Sequence, residues 1–189
     1  MNKLIKIFSV TIIILTIISL ISGCIDSNAE NKHISNGEGE EFTFLDTNGN
    51  LINLSNFRRK IVVLDMWATW CSPCGYQMLE LEKLYNYYDK EIIEIISLDI
   101  DQGETIKMVK DYINEFQKNG INLNWIFGMD TQNIWEKYKI GGGIPTLYIF
   151  DQNGKIHYNH EGLSVFSEIP NGWPKNTITL KEKIDELII

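Results

Sequence analysis

Cysteine is scarce in this chain: 189 residues contain three, alongside three histidines and four prolines. Three thiols cannot build the multi-disulfide scaffold of a small secreted domain, and a chain of this length can bury a core without such staples. Cationic side chains are also few, 17 Lys and Arg against 25 Asp and Glu, for a net charge of −8. That balance excludes a basic nucleic-acid-binding surface; the acidity fits solubility and repulsion from anionic lipid heads. There is no internal repeat, and beyond residue 41 no stretch is polar or Gly/Pro-rich enough to act as a linker, so one domain is expected over 41–189. The one long apolar run stands at the N-terminus.

That run tells where the domain works. Lys3 and Lys6 precede an apolar stretch from Ile7 to Ile21, followed by Ser22-Gly23-Cys24. A basic region, an apolar region and small residues form an export signal. Ile21-Ser22-Gly23-Cys24 resembles a lipobox, which implies cleavage before Cys24 and a lipid on its sulfur. The alternative is an uncut anchor, because Leu4 to Ile21 is 18 residues, at the short end of the ~17–25 needed to cross a bilayer. Either way residues 1–23 are a signal or anchor, 24–40 a lipidation site and flexible tether, and the domain is expected at the extracytoplasmic face of the membrane. Removing residues 1–24 leaves a net charge of −10 and only Cys71 and Cys74 as thiols.

Within the domain, Asn48-Gly49 separates two short alternating stretches and predicts a leading hairpin. Ile61–Trp67 reads as a buried strand, 72–88 as a helix and Ile92–Ile100 as a second central strand. Ile106, Val109, Tyr112, Ile113 and Phe116 mark one face of a helix ending at Asn119-Gly120. A short strand over 125–129 follows, then a short helix over 132–138 capped by Asp130 or Thr131. Thr146–Phe150 and Lys155–His160 form a closing hairpin; Thr179 and Glu182 have capping-box spacing, and Ile184, Leu187 and Ile188 then face the sheet. The class is α/β, a mixed central sheet flanked by helices.

Cys71-Ser72-Pro73-Cys74 stands where the buried strand gives way to the helix, so its two thiols can cycle between dithiol and disulfide with little backbone movement. The competing reading is half a zinc site. Zinc needs four ligands, and His33, His157 and His160 are not paired at finger-like spacing, so no metal is expected.

Val63 through Cys74 closely resembles the active-site strand and turn of thioredoxin-fold proteins, and Ile144-Pro145-Thr146, about seventy residues later, resembles their second signature, a cis-proline opposite the cysteines. The leading hairpin, the inserted helix at 104–119 and the N-terminal anchor are most similar to the membrane-anchored TlpA-like branch. The resemblance implies a thiol–disulfide oxidoreductase without cofactor. It would reduce selected protein disulfides, cytochrome c maturation included, and be recharged by a membrane thiol–disulfide carrier.

Cys71 is then the attacking thiol, stabilised as thiolate by the helix N-terminus, and Cys74 the resolving thiol. Ser72 and Pro73 tune the potential. Asp65, an acid inside the buried strand, is expected to have a raised pKa and to take the proton from Cys74. The lysine that many thioredoxins place beside it is replaced by Ser97, and Gln77 stands where TlpA-like proteins often carry Glu. Pro145 would hold Ile144 as an edge for a substrate peptide, Trp70 would contact substrate, and Gly141-Gly142-Gly143 would let the backbone approach Cys71. Three rivals remain: a thioredoxin-fold peroxidase, for which Thr69 is off register, a Sco-like copper metallochaperone, and a redox-inert binding module.

Overall fold

The computed structural model describes residue 39 and residues 41–188. The expected export segment, Cys24 and, apart from Gly39, the expected tether lie outside the described residues. No helix among the described residues is long and apolar enough to cross a membrane.

Seven strands form one mixed sheet: β1 (Thr43–Asp46), β2 (Leu51–Asn53), β3 (Ile61–Trp67), β4 (Ile93–Asp99), β5 (Ile126–Met129), β6 (Thr146–Phe150) and β7 (Ile156–Glu161). Their spatial order is β2-β1-β5-β4-β3-β6-β7. Among the described residues four α-helices accompany them: α1 (Ser72–Tyr87), α2 (Ile106–Lys118), α3 (Ile134–Tyr138) and α4 (Leu180–Asp185). β3 runs parallel to β4 and antiparallel to β6, and β4 runs parallel to β5. This is the thioredoxin-like arrangement expected, with its leading hairpin and inserted helix.

Every residue of β3 and β6 is buried, because both strands lie inside the sheet with apolar layers on either side. Side chains alternate across a strand. Ile61, Val63 and Trp67 of β3 therefore join Cys74, Met78, Leu81 and Leu84 of α1, Val109 of α2 and Leu180 and Ile184 of α4. Val62, Leu64 and Met66 face the other way, with Phe42, Phe44, Ile134 and Tyr138. Asp65 belongs by alternation to the α1 face, the face on which Cys74 is buried.

Two local expectations are corrected. Ile188 does not face the sheet; it is exposed beyond the end of α4, whose Thr179–Glu182 capping box is otherwise formed. At α3 the first-turn residue Asn133 is left-handed and makes no side-chain cap, so the helix begins at 134. Asp130 does the capping from outside, its carboxylate accepting the N–H groups of Gln132, Ile134 and Trp135 at 2.7–3.1 Å.

Candidate active site

The end of β3 delivers the chain into a tight turn, Cys71 N–H donating to Ala68 O at 3.1 Å, and α1 starts at once. Pro73 suits the first helical turn because that position has no intrahelical partner for an N–H. Cys71 is the N-cap: its Sγ accepts from Cys74 N–H at 3.2 Å. A cap sulfur faces the helix's unpaired N–H groups, which favour negative charge on it. Cys71 and Cys74 are joined as a disulfide, Cα to Cα 5.2 Å. Cys74 is completely buried, whereas Cys71 retains 5% of its surface at the mouth of the site.

Ile144 faces the pair. The Ile144–Pro145 bond is cis, and Ile144 O lies 3.7 Å from Cys71 Sγ. Pro145 O in turn accepts from Gly162 N–H at 2.8 Å. Trp70 is 65% exposed beside the disulfide, its indole N–H donating to Asp101 at 2.6 Å. Tyr76, one turn into α1, is exposed as well.

Asp65 is fully buried beneath this surface. It pairs in register with Ser97 of β4, whose hydroxyl donates to Asp65 Oδ2 at 3.0 Å. The same hydroxyl accepts Trp125 Nε1–H at 3.0 Å and sits 3.9 Å from Met78 Sδ of α1. Asp65 Oδ1 has no protein partner. Loss of hydration pushes the carboxyl up to about 7, opposed only by the Ser97 hydrogen bond. The lysine-for-serine departure thus leaves an acid held by one neutral donor and able to exchange a proton near neutrality.

The glycine run has another purpose than the one expected. A Cβ on Gly141 or Gly143 would meet the Glu161 carboxylate at 2.9 or 2.8 Å, and Gly141 N–H donates to it at 2.5 Å. The glycines admit Glu161, not Cys71. Gly142, at φ 108°, needs the freedom of glycine for its backbone as well. Gln77 is likewise more than a missing charge: fully buried, it accepts Ser164 N–H at 2.8 Å and donates to Ser164 O at 3.1 Å, tying the segment after β7 to α1. His157 is paired with Glu186 at 2.8 Å, while His160 is exposed on the edge strand β7.

Sequence reasoning missed Glu104 and Asp99. Glu104 takes the Thr69 N–H at 3.1 Å and the Thr69 hydroxyl at 2.5 Å, so Thr69 is committed away from the thiols. Its only sequence signal was an acid shortly before the helix of residues 106–118. Among the described residues no group of three His, Cys, Asp or Glu side chains is placed to hold a metal ion.

The sequence profile of the AhpC/TSA family matches residues 37–159, a stretch that holds both the cysteine pair and the cis-proline. The chain belongs to the AhpC/TSA family. It is 34% identical over 120 residues to the thiol-disulfide oxidoreductase ResA of Bacillus anthracis, covering 63% of this chain and 65% of that protein. ResA of Bacillus subtilis (strain 168) is 28% identical over 129 residues, 68% of each chain. The chain thus spans a little under two thirds of the first of these curated relatives. Among solved structures, the thioredoxin domain of a thiol-disulfide oxidoreductase from Bacteroides vulgatus superposes with a TM-score of 0.58 at 26% identity, covering 68% of this chain and 90% of that one. StoA of Bacillus subtilis shares the fold alone, with a TM-score of 0.53 at 19% identity over 67% of this chain and 90% of its own.

Proposed function

We propose that the chain is a membrane-tethered, extracytoplasmic thiol–disulfide oxidoreductase that reduces selected protein disulfides. One observation carries the reading: Cys71 caps α1 with its sulfur beside the Ile144 carbonyl, while its partner Cys74 is sealed beneath it. The names of the relatives support it, and the export-like N-terminus supports the location.

The chemistry starts from the reduced pair. The Cys71 thiolate attacks one sulfur of a substrate disulfide; a Cys71–substrate bond forms and the other substrate sulfur leaves as a thiolate. Cys74 then loses its proton to Asp65, whose pKa near 7 lets it accept at neutral pH, and attacks Cys71 Sγ. The Cys71–Cys74 disulfide forms and the second substrate sulfur departs as a thiolate; it takes the Cys74 proton back from Asp65, while the first substrate thiolate takes one from solvent, equal to the proton Cys71 gave up on ionising. A substrate peptide extended along Ile144 would place its sulfur over Cys71, with Trp70 as a wall. A membrane thiol carrier returns the two electrons. The disulfides served include those of proteins awaiting haem attachment in cytochrome c maturation.

Trapping tests this. Cys74→Ser in the native membrane should accumulate mixed disulfides through Cys71 that a reductant releases, and their partners name the substrates. If no adduct forms, catalysis through this pair is wrong. A reduction potential near −120 mV, the oxidant end of the known range, would reverse the direction of electron flow. Rapid consumption of hydrogen peroxide would favour the peroxidase reading, which the Thr69–Glu104 pairing argues against.

A further inference from the structure

The active-site turn rests on a pair of carboxyl groups that the redox steps do not use. Glu104 is 9% exposed and holds Thr69, two residues before Cys71, through both of its oxygens. Asp99, 1% exposed, ends β4 in register with Trp67, the last residue of β3. Its Oδ1 accepts Asp101 N–H at 2.9 Å, and Asp101 in turn accepts the Trp70 indole. Among the described residues Asp99 Oδ2 is buried without a hydrogen-bond partner. The Glu104 carboxyl lies against the Asp99 side chain.

Two ionised carboxylates can only accept, so in contact they repel and leave that oxygen unsatisfied. A single proton between them reverses both penalties, since one group then donates to the other. Among the described residues the groups acting on the pair include no cation: Asp101 comes from the adjoining loop, and Tyr112, on which Asp65 of β3 also acts, from α2. Asp130, at the end of β5, donates its backbone N–H to Asp99 O at 2.8 Å and turns its carboxylate to α3.

We infer that Asp99 keeps its proton and donates it to Glu104, and that the pair is a positioning device which holds the turn before Cys71 through Thr69 and makes the thiol respond to pH. While Asp99 holds the proton, Glu104 is fixed between Asp99 and Thr69 and the pair carries one negative charge. Burial and the neighbouring carboxylates push Asp99 up to about 8, so the proton leaves under mildly alkaline conditions. The second charge then drives the two groups apart beneath Thr69 and disfavours a thiolate at Cys71. Neither group touches the reacting sulfurs; both act through the turn. The inference about Cys71 rests on its reading as the attacking thiol.

The test uses the reduced full-length chain carrying Cys74→Ser, with two readouts across pH 5–10: the rate of Cys71 alkylation by iodoacetamide and the NMR shift of the Thr69 amide. The expected alkylation profile has two inflections, the upper one shared by the Thr69 amide. Adding Asp99→Asn supplies a permanent donor to Glu104; the upper inflection should vanish from both readouts while Thr69 keeps its low-pH shift. A Thr69 amide that does not titrate, or an upper inflection that survives Asp99→Asn, overturns the proposal. Should the Asn variant fail to fold, the Thr69 titration of the chain carrying native Asp99 decides alone. Failure of the oxidoreductase reading would show instead as missing substrate adducts, with the Thr69 titration intact.

Discussion

Asp65 ties stability to chemistry through one proton. In the native state its pKa stands at about 7, against 3.8 for the ordinary carboxyl. Between those values the folded protein keeps a proton that the unfolded chain has lost, so stability falls as pH rises through that window and stays reduced above it. Asp65→Asn cannot ionise and its amide oxygen still accepts from Ser97. Its urea midpoint should therefore fall less from pH 5 to 8 than that of the native chain, the difference being on the order of 2–4 kcal/mol. Asp99, raised to about 8, contributes a slope of the same sign to both proteins. The same substitution should slow the release of a preformed Cys71 mixed disulfide about 100-fold, the usual worth of a positioned base. Equal pH slopes in the two proteins, or undiminished release, would show that the carboxyl is neither neutral when buried nor the proton acceptor.

At the scale of the element, α1 is fastened at both of its surfaces. Its inner face packs Met78, Leu81 and Leu84 against the sheet. Gln77 joins it to Ser164 through two buried hydrogen bonds, and Glu80 accepts Phe166 N–H at 2.8 Å, so the segment after β7 is laid along the helix. A Glu at 77 could accept from Ser164 N–H but, when ionised, could not donate to Ser164 O. Gln77→Glu should accordingly cost about 1–3 kcal/mol at pH 8 and recover much of it at pH 5, where the carboxyl regains a donor. Denaturation midpoints at the two pH values decide this; a loss independent of pH would point to packing rather than to the missing donor. The glycines before Pro145 belong to the same scale, since they make room for one carboxylate from β7.

The molecule as a whole is organised around β3, β4 and β6, whose interior positions meet apolar layers on both faces, with the β1–β2 hairpin at one margin and β7 at the other. Opening the centre exposes both cores, whereas fraying a margin exposes little. Hydrogen exchange should therefore be slowest in β3, β4 and β6, at the rate of global unfolding, and faster in β2 and β7. Central amides that exchange as fast as those of β2 would mean that the sheet does not open as one unit. The cysteine pair follows β3, which keeps Cys71 in place against Ile144, while Trp70 and Tyr76 are exposed.

By itself the sequence determined what depends on neighbours a few residues apart. The apolar run of β3, the Asn48-Gly49 turn, the Cys71–Cys74 spacing at a helix start and the Thr179–Glu182 capping box are local patterns, and each appears where its period or turn chemistry places it. The Asp65–Ser97 pairing was accessible through the resemblance to thioredoxin-fold proteins, which puts Ser97 where many of them carry a lysine beside this acid. Only the tertiary structure decided which acids are buried and what they face. Asp99, Glu104 and Thr69 come together across a gap of 35 residues between the turn and Glu104, and the partners of Gln77 and Gly141–Gly143 lie 87 and about 20 residues away. A carboxyl's charge state is set by its hydration and by the groups around it, and neither exists until distant segments pack together.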